Sequence, residues 1–301
     1  MRKSRFDLWH WAILLPALLL ALPVLVIFSS VFNPQPDVWQ HLRQTVLADY
    51  VINSLLLAAG TGLGAMTTGT LCAWLVSRYQ FTGRRVMEWL LLLPLAMPAY
   101  IIAYTYTGML DFAGPLQSAL RAQFDWRYGD YWFPQIRSLG GAIVMLSLVL
   151  YPYVYMLARA AFREQSASLL EASRTLGLTP WQHLKKVALP LARPAILTGT
   201  ALAMMEAFAD YGTVQYFGVT TFTTGIFRTW FGMGNQVGAA QLSALLCSFV
   251  LLLLYLEQWS RRKLKFYQQG QKQQEPSRQP VQGLTGFSLL MLCLLPQAPP
   301  P

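Results

Sequence analysis

The stretch Glu171 to Pro190, EASRTLGLTPWQHLKKVALP, decides how the rest of the chain is read. It is a polar, charge-bearing stretch set between two apolar runs, about Leu139–Ala161 before it and about Pro194–Phe208 after it. Locally it spells two short helices. Ser168 is placed to cap the first, with Glu171 three residues on in the capping-box position. Gly177 closes that helix, because glycine takes the left-handed conformation that ends a helix without a Cβ penalty. Thr179 is a good N-cap and Pro180 a good first residue for the second helix. Leu176, Leu178, Leu184, Val187 and Leu189 are expected to form one apolar face. A short amphipathic hairpin of this kind needs something to pack against.

The surroundings of the stretch are greasy. Hydrophobic residues make up 54% of the 301-residue chain and charged residues 12%, with a mean hydropathy of +0.37. Soluble domains carry about 25% charged residues, so this chain cannot cover itself with a hydrated surface, and a lipid bilayer is its natural solvent. Six apolar runs are expected to cross it: about Trp11–Phe32, Asp49–Val76, Trp89–Leu110, Leu139–Ala161, Pro194–Phe208 and Val237–Leu256. The first follows Arg2, Lys3 and Arg5 and is about 22 residues long. That is too long for a signal peptide, and it has no small-residue cleavage site, so it reads as a retained span. Pro16 and Pro23 lie inside it, and Pro94 and Pro98 flank an expected bend in the third span.

Gly60 and Gly64 stand at GxxxG spacing, which either opens a groove for close helix approach or is merely tolerated. Gly64–Thr70, GAMTTGT, lacks the lysine of a phosphate-binding loop and follows no strand, so ATP binding there is excluded. Asp111–Ser138 carries Trp126, Tyr128, Tyr131, Trp132 and Phe133, a density that suits an interfacial belt, a re-entrant piece or a binding surface. Ala209–Gln236 is too apolar for an ordinary hydrated loop, and part of it is expected to dip into the membrane or line the assembly. Cys72, Cys247 and Cys293 sit in apolar runs without a CxxC or Cys/His cluster and read as free thiols. The last apolar run, Leu284–Leu295, reaches only about 18 Å at about 1.5 Å per residue and looks like the start of a seventh span that is cut off.

Of the 23 Lys and Arg residues, 18 fall in segments on one side of the six-span pattern and 5 on the other. This bias places both ends of the six-span unit in the cytoplasm. It also removes most of the case for nucleic-acid binding, since the formal +10 is divided among membrane-flanking segments. The expected fold is all-α, a polytopic membrane protein with a six-span unit over 1–265, a polar linker over 266–283 and a partial seventh span over 284–301. The hairpin faces the cytoplasm.

With that topology the residues match a known pattern. Glu171-Ala172-Ser173, three residues, Gly177, nine residues, Val187, one residue and Leu189-Pro190 resemble the signature of ABC-transporter permeases of binding-protein-dependent importers. The departures are Ser173 for Ala and Val187 for Ile. The resemblance implies a cytoplasmic coupling loop that docks on an ATPase dimer, with Gly177 supplying the turn and Glu171 a charge for the ATPase. ATP would be bound by that partner and not by this chain, which would not itself be an enzyme. It also implies an extracytoplasmic substrate-binding protein as partner, a second permease half, and a place in the bacterial cytoplasmic (inner) membrane. The runs Glu206-Ala-Phe-Ala-Asp210-Tyr211-Gly, Gln215-Tyr-Phe-Gly218 and Thr223-Thr-Gly-Ile226 resemble the iron(III) branch, whose members are usually double-length, so the chain looks like a C-terminally truncated copy. Ferric iron is the substrate implied, with thiamine or another small solute as the alternative.

Glu206 and Asp210 stand four residues apart near the outer end of the fifth span and are expected to share a helix face. Ionisable groups at membrane depth usually face a bundle interior or wet cavity. Two hard oxygen ligands there could touch a ferric ion in transit, with Tyr211 assisting, or the carboxylates could cap helix ends; no metal site is assigned. A gradient-driven carrier would use the same two carboxylates for coupling, but it has no ATPase for the hairpin to dock on. A membrane enzyme would need a polar site. His10 and His183 fall on the expected cytoplasmic side and His41 on the other, so no shared histidine site forms.

Overall fold

The computed structural model describes residues 8–127, 129–165, 167–262, 279–281 and 284–294. In chain order its helices are α1 (Leu8–Ser29), α2 (Pro36–Thr45), α3 (Leu47–Arg78), α4 (Arg84–Leu90), α5 (Ala99–Leu110), α6 (Pro115–Phe124) and α7 (Leu139–Arg163). There follow α8 (Ala167–Thr175), α9 (Pro180–His183), α10 (Leu189–Ala209), α11 (Gly212–Tyr216), α12 (Phe222–Phe227), α13 (Gln236–Arg262) and α14 (Leu284–Leu294). Five helical stretches among the described residues are long and apolar enough to cross a membrane: Trp11–Phe32, Leu47–Arg78, Leu139–Arg163, Pro180–Ala209 and Gln236–Trp259. The pair Arg84–Ala96 and Ala99–Phe124 passes the same test together but is bent by 95°, the form of a broken span or a re-entrant loop, and makes a sixth crossing if it counts as one span. The bend falls between Pro94 and Pro98, where neither proline can donate a backbone hydrogen bond to continue the helix. The fold is therefore the all-α, multi-pass architecture read from the apolar runs.

The core is the packing of α3, α7 and α10 on one another, and glycine makes it possible. A β-carbon on Gly60 would lie 2.8 Å from Ile143, and one on Gly69 would lie 2.7 Å from the Tyr151 carbonyl oxygen. One on Gly64 would fall on the Ser147 hydroxyl, and one on Gly199 of α10 would lie 2.7 Å from the Val154 Cα. Of the two readings of the GxxxG spacing, the groove is the one realised: the side chains of Ile143 and Ser147 fill it at Gly60 and Gly64, while α7 backbone comes close at Gly69 and Gly199. Tyr151, Val154 and Tyr155 of α7 are fully buried in this contact.

The other helices hang on this trio. Helix α1 buries none of its apolar window and presents Leu15, Leu19 and Leu20 outward, as expected of a lipid-facing span. Its end is tied to α13 through Gln241, which donates to the carbonyls of Ser30 (3.0 Å) and Asn33 (2.6 Å) and accepts from Trp39 Nε1. Between α10 and α13 the chain folds into α11, α12 and a π turn at Arg228–Gly232. Phe222 N donates to Ser54 Oγ (3.0 Å) and Asn53 Nδ2 to the Thr220 carbonyl (2.9 Å), pinning this segment onto α3. The segment is thus two short helices folded back on the bundle, neither long enough to span.

Near the other end of the chain, α14 is an 11-residue helix, Leu284–Leu294. Cys293 on it is buried in the same apolar cluster as Cys72. Tyr79–Gln80 pairs in parallel with Gln279–Pro280, a two-residue bridge. The basic residues Arg2, Lys3, Arg5, Lys263 and Lys265, and nearly all of the expected 266–283 linker, lie outside the described residues.

Candidate functional site

The hairpin forms at the end of the bundle where α3 and α7 finish and α10 begins. Helix α8 runs through Glu171 and closes at Gly177, whose φ is +71°. Leu178 N donates to the Ser173 carbonyl at 3.0 Å, the six-to-one bond of a Schellman closure, so glycine here serves the left-handed turn the sequence demanded. Thr179 then starts α9 with both arms of a capping box. Gln182 N donates to Thr179 Oγ1 (3.3 Å) and Thr179 N donates to Gln182 Oε1 (2.9 Å), with Pro180 at the first position.

Three expectations about the hairpin are corrected. Ser168 lies inside α8, which begins at Ala167, so it does not stand in front of the helix as a cap. The second helix is not a separate short piece. It continues from Pro180 through a π turn at Leu184–Ala188 into α10, giving one 30-residue helix to Ala209. Pro190 follows the turn directly and has no N–H to give to the residue four back, and the ladder adapts with Leu189 N donating to Leu184 O five residues back. The expected apolar face also splits. Leu184 is buried at 4% exposure and Val187 and Leu189 are half-buried, whereas Leu176 turns outward at 79% exposure.

Ser173, the departure from Ala in the pattern, has a partner. Its hydroxyl is buried, donates to the Leu169 carbonyl (2.7 Å) and lies 3.0 Å from His183 Nδ1, which joins α8 to α9 across the turn. Glu171, Ala172 and Gly177 are exposed, as are Leu176 and Trp181, and Lys185 Nζ sits 4.7 Å above the Trp181 ring. The hairpin thus presents a carboxylate, an aliphatic side chain and an indole outward while Leu184 and Ala188 anchor it in the core. Gln165 Nε2 donates to the Ala188 carbonyl (3.0 Å) and ties the entry of the hairpin to its base. Pro190 is exposed at the start of α10.

At the other end of α10 the structure separates Glu206 from Asp210. The helix stops at Ala209, and Asp210 is extended with ψ 126°, so the two do not share a helix face. The Asp210 carboxylate caps α11 instead, accepting from Thr213 N (2.9 Å), Thr213 Oγ1 (3.1 Å) and Val214 N (3.1 Å). Burial pushes this carboxyl above its ordinary value, the three hydrogen bonds pull it back, and the nearby Glu206 charge raises it further. Glu206 is exposed on α10 and accepts from Tyr153 Oη at 3.3 Å. Tyr211 stacks on Phe227 with ring centres 3.9 Å apart. Tyr211 also lines a cavity of about 560 Å³ with Tyr100, Tyr104, Gln215 and Tyr216 beside the bent span. Among the described residues no cluster of three or more His, Cys, Asp or Glu side chains is arranged to hold a metal ion.

Over Asp111–Ser138, expected as an interfacial belt, a re-entrant piece or a binding surface, exposed and half-buried rings stack on one another, and Tyr128 lies outside the described residues. Phe124, Trp126 and Tyr131 stack in series at 4.7 and 5.4 Å, and Arg121 Nη1 donates to Tyr131 Oη (2.9 Å). Trp132 stays 86% exposed.

One grouping escaped the sequence reading. Glu88, the sole acidic residue between Asp49 and Asp111, pairs with Arg84 and with Arg159 of α7, each at 2.6 Å. A lone carboxylate at the edge of an apolar run must find a partner, and that rule would have singled it out.

A bundle of five long apolar helices and one broken pair, with a helical hairpin projecting at one end, defines a multi-pass membrane component of the transport-permease type. The chain belongs to the binding-protein-dependent transport system inner membrane component family, whose model matches residues 65–265. It is 28% identical over 224 residues to the Fe(3+)-transport system permease protein FbpB 2 of Haemophilus influenzae, covering 74% of this chain and 40% of that protein. The chain thus spans less than half the length of that relative. It is 26% identical to the molybdenum transport system permease protein ModB of the same organism, covering 72% of this chain and 95% of that one. Among solved structures it resembles a bacterial ABC transporter involved in the import of the acidic polysaccharide alginate. That match has a TM-score of 0.67 at 17% identity and covers 86% of this chain and 97% of the other. At that identity the likeness speaks for the fold.

Proposed function

We propose that this chain is a permease subunit of an ATP-binding-cassette importer and that the Glu171–Pro190 hairpin is its cytoplasmic coupling loop. The observation that carries the reading is the hairpin itself. It is closed by a left-handed Gly177 and anchored by Leu184, yet it leaves Glu171, Leu176 and Trp181 facing outward. An exposed aliphatic and an exposed indole beside a carboxylate make a surface suited to a partner's cleft. On this reading an ATPase dimer receives the hairpin, ATP is bound and hydrolysed by that dimer, a binding protein delivers substrate from outside, and a second permease half completes the pathway. The N-terminus is cytoplasmic by the distribution of Lys and Arg. The test is reconstitution with the cognate ATPase, comparing wild type with Glu171→Ala and Gly177→Pro. Both variants are expected to lose ATPase association and transport, and unchanged values in both would sink the docking role.

For substrate we infer ferric iron. The FbpB 2 relative is named for Fe(3+), and Glu206 supports the same sign of charge. An exposed carboxylate at the outer part of α10 attracts a cation and repels a dianion such as molybdate. Uptake of labelled ferric iron that falls in Glu206→Gln, with molybdate uptake absent in both, supports this reading. Molybdate or thiamine uptake by the wild type contradicts it.

A further inference from the structure

We propose that Glu88 is a positioning residue that transmits movement of the hairpin to the broken third span. The inference rests on the coupling-loop reading above. It starts from how α4, the first piece of that span, is held. Val86 and Trp89 of α4 face outward at 65% and 74% exposure, while Met87 and Leu91 pack inward. On the inward side the helix is fastened by directional polar ties. Arg84 Nη1 donates to the Val76 carbonyl near the end of α3 (3.1 Å) and pairs with Glu88 Oε1 (2.6 Å). The second oxygen, Glu88 Oε2, takes Arg159 Nη2 of α7 at 2.6 Å. Tyr155, one turn earlier on α7, donates from Oη to the Glu88 carbonyl at 3.3 Å, and the Arg159 guanidinium lies over its ring at 5.9 Å. The carboxylate therefore joins α4 to α7, and Arg84 carries the tie on to the end of α3. All three charged side chains are largely withdrawn from solvent, at 9, 16 and 21% exposure for Arg84, Glu88 and Arg159.

The node sits in a continuous line of contacts. The hairpin is tied to the entry from α7 by the Gln165–Ala188 hydrogen bond, and Arg159 is one turn from the end of α7 at Arg163. Beyond Glu88 lies the Pro94–Pro98 bend and then α5, whose Tyr100 and Tyr104 line the cavity shared with Tyr211. A shift of the hairpin drags the end of α7. Glu88 holds α4 to α7, so α4 follows, and the bend turns that movement into a change at the cavity. A greasy contact of the same area would let the helices slide, because apolar packing has no preferred direction, whereas a carboxylate bridging two guanidinium groups fixes both distance and angle. The π turn at Leu184–Ala188 provides the adaptable element at the base of the hairpin.

The test uses the complete transporter reconstituted with its ATPase and binding protein, in wild type, Glu88→Gln, Arg159→Gln and the double variant. Arg159→Gln leaves the Arg84–Glu88 pair in place and guards against simple misfolding of Glu88→Gln. The readouts are ATPase association, basal ATP hydrolysis, and stimulation of hydrolysis by loaded binding protein together with transport. Association and basal hydrolysis are expected within about twofold of wild type, with stimulation and transport reduced at least tenfold in each single variant. Groups acting through one joint couple in a double-mutant cycle, so the double variant is expected to be no worse than either single, and Glu88→Asp to recover part of the loss. Wild-type stimulation in the single variants overturns the proposal, as does a loss that tracks lost association or losses that add in the double variant. Failure of the wild-type chain to associate with the ATPase overturns the coupling-loop reading instead, and so is distinguishable.

Discussion

Replacing Gly177 tests the hairpin through its backbone alone. At φ +71° the residue lies in the left-handed region, which costs an L-residue roughly 1–2 kcal/mol. A β-carbon added there meets no described atom within 4 Å, so no steric clash within the chain adds to that figure. A penalty of about 1–2 kcal/mol corresponds to a factor of about 5–30 in a two-state population. Gly177→Ala is therefore expected to weaken ATPase binding by up to that factor if docking requires the closed turn. Asparagine tolerates the left-handed region better than other non-glycine residues, so Gly177→Asn should lose less than Gly177→Ala. Proline fixes φ near about −65° and cannot adopt the turn at all, so Gly177→Pro should abolish binding. Affinity is read by titrating labelled ATPase onto the chain in nanodiscs. The ordering glycine, asparagine, alanine, proline is the signature of a backbone requirement. Equal affinity for glycine, alanine and proline would refute it, and an asparagine variant as weak as proline would show that side-chain bulk at the partner matters instead.

Other perturbations follow from the same geometry. Thr179→Ala removes the hydroxyl that accepts from the Gln182 amide and leaves the residue 179 backbone N–H to Gln182 Oε1 in place; it should cost about 1 kcal/mol, seen as faster hydrogen exchange at the Gln182 amide with the rest of α10 unchanged. Asp210→Asn weakens three hydrogen bonds at the start of α11, so exchange at Thr213 and Val214 should quicken while ATPase association stays as in wild type. Gly69→Val drives a side chain into the backbone of α7 at Tyr151 and Tyr155 and should abolish a monodisperse folded preparation in detergent, whereas Gly232→Ala, with open space at its β-carbon, should leave it intact.

The parts of the fold that depend on composition and local chemistry were legible in the sequence. The six apolar runs, the break between Pro94 and Pro98, the left-handed closure at Gly177 and the Thr179 cap all follow from residues acting within a few positions of themselves. What escaped depends on partners distant in sequence. Leu176 belonged to the apolar periodicity but faces out, because the turn at Gly177 rotates it away from the face that Leu184 buries. The second hairpin helix runs on into α10 through a π turn just before Pro190, an adjustment that no spacing rule announces. Asp210 left the face of Glu206 because its carboxylate is a better cap for the amides of Thr213 and Val214 than a helical residue. The Glu88 pairing with Arg159 depends on a residue 71 positions away that only the packing of α4 on α7 brings near, although a lone acid beside Arg84 and Arg85 in an apolar region is itself a sequence signal.

The measurement that tests the coupling-loop reading most directly is site-directed cross-linking of the hairpin to the ATPase. Cys72, Cys247 and Cys293 are first replaced by alanine, and single cysteines are placed at Leu176 and Trp181, the exposed side chains of the hairpin. Cysteines at Val144 and Leu252, also exposed but on the spans α7 and α13, serve as controls. Cross-links to the ATPase from Leu176 and Trp181, altered by ATP and absent from the two controls, are the predicted result. ATPase cross-linking from the controls but not from the hairpin, in an assembled and transporting complex, would contradict it.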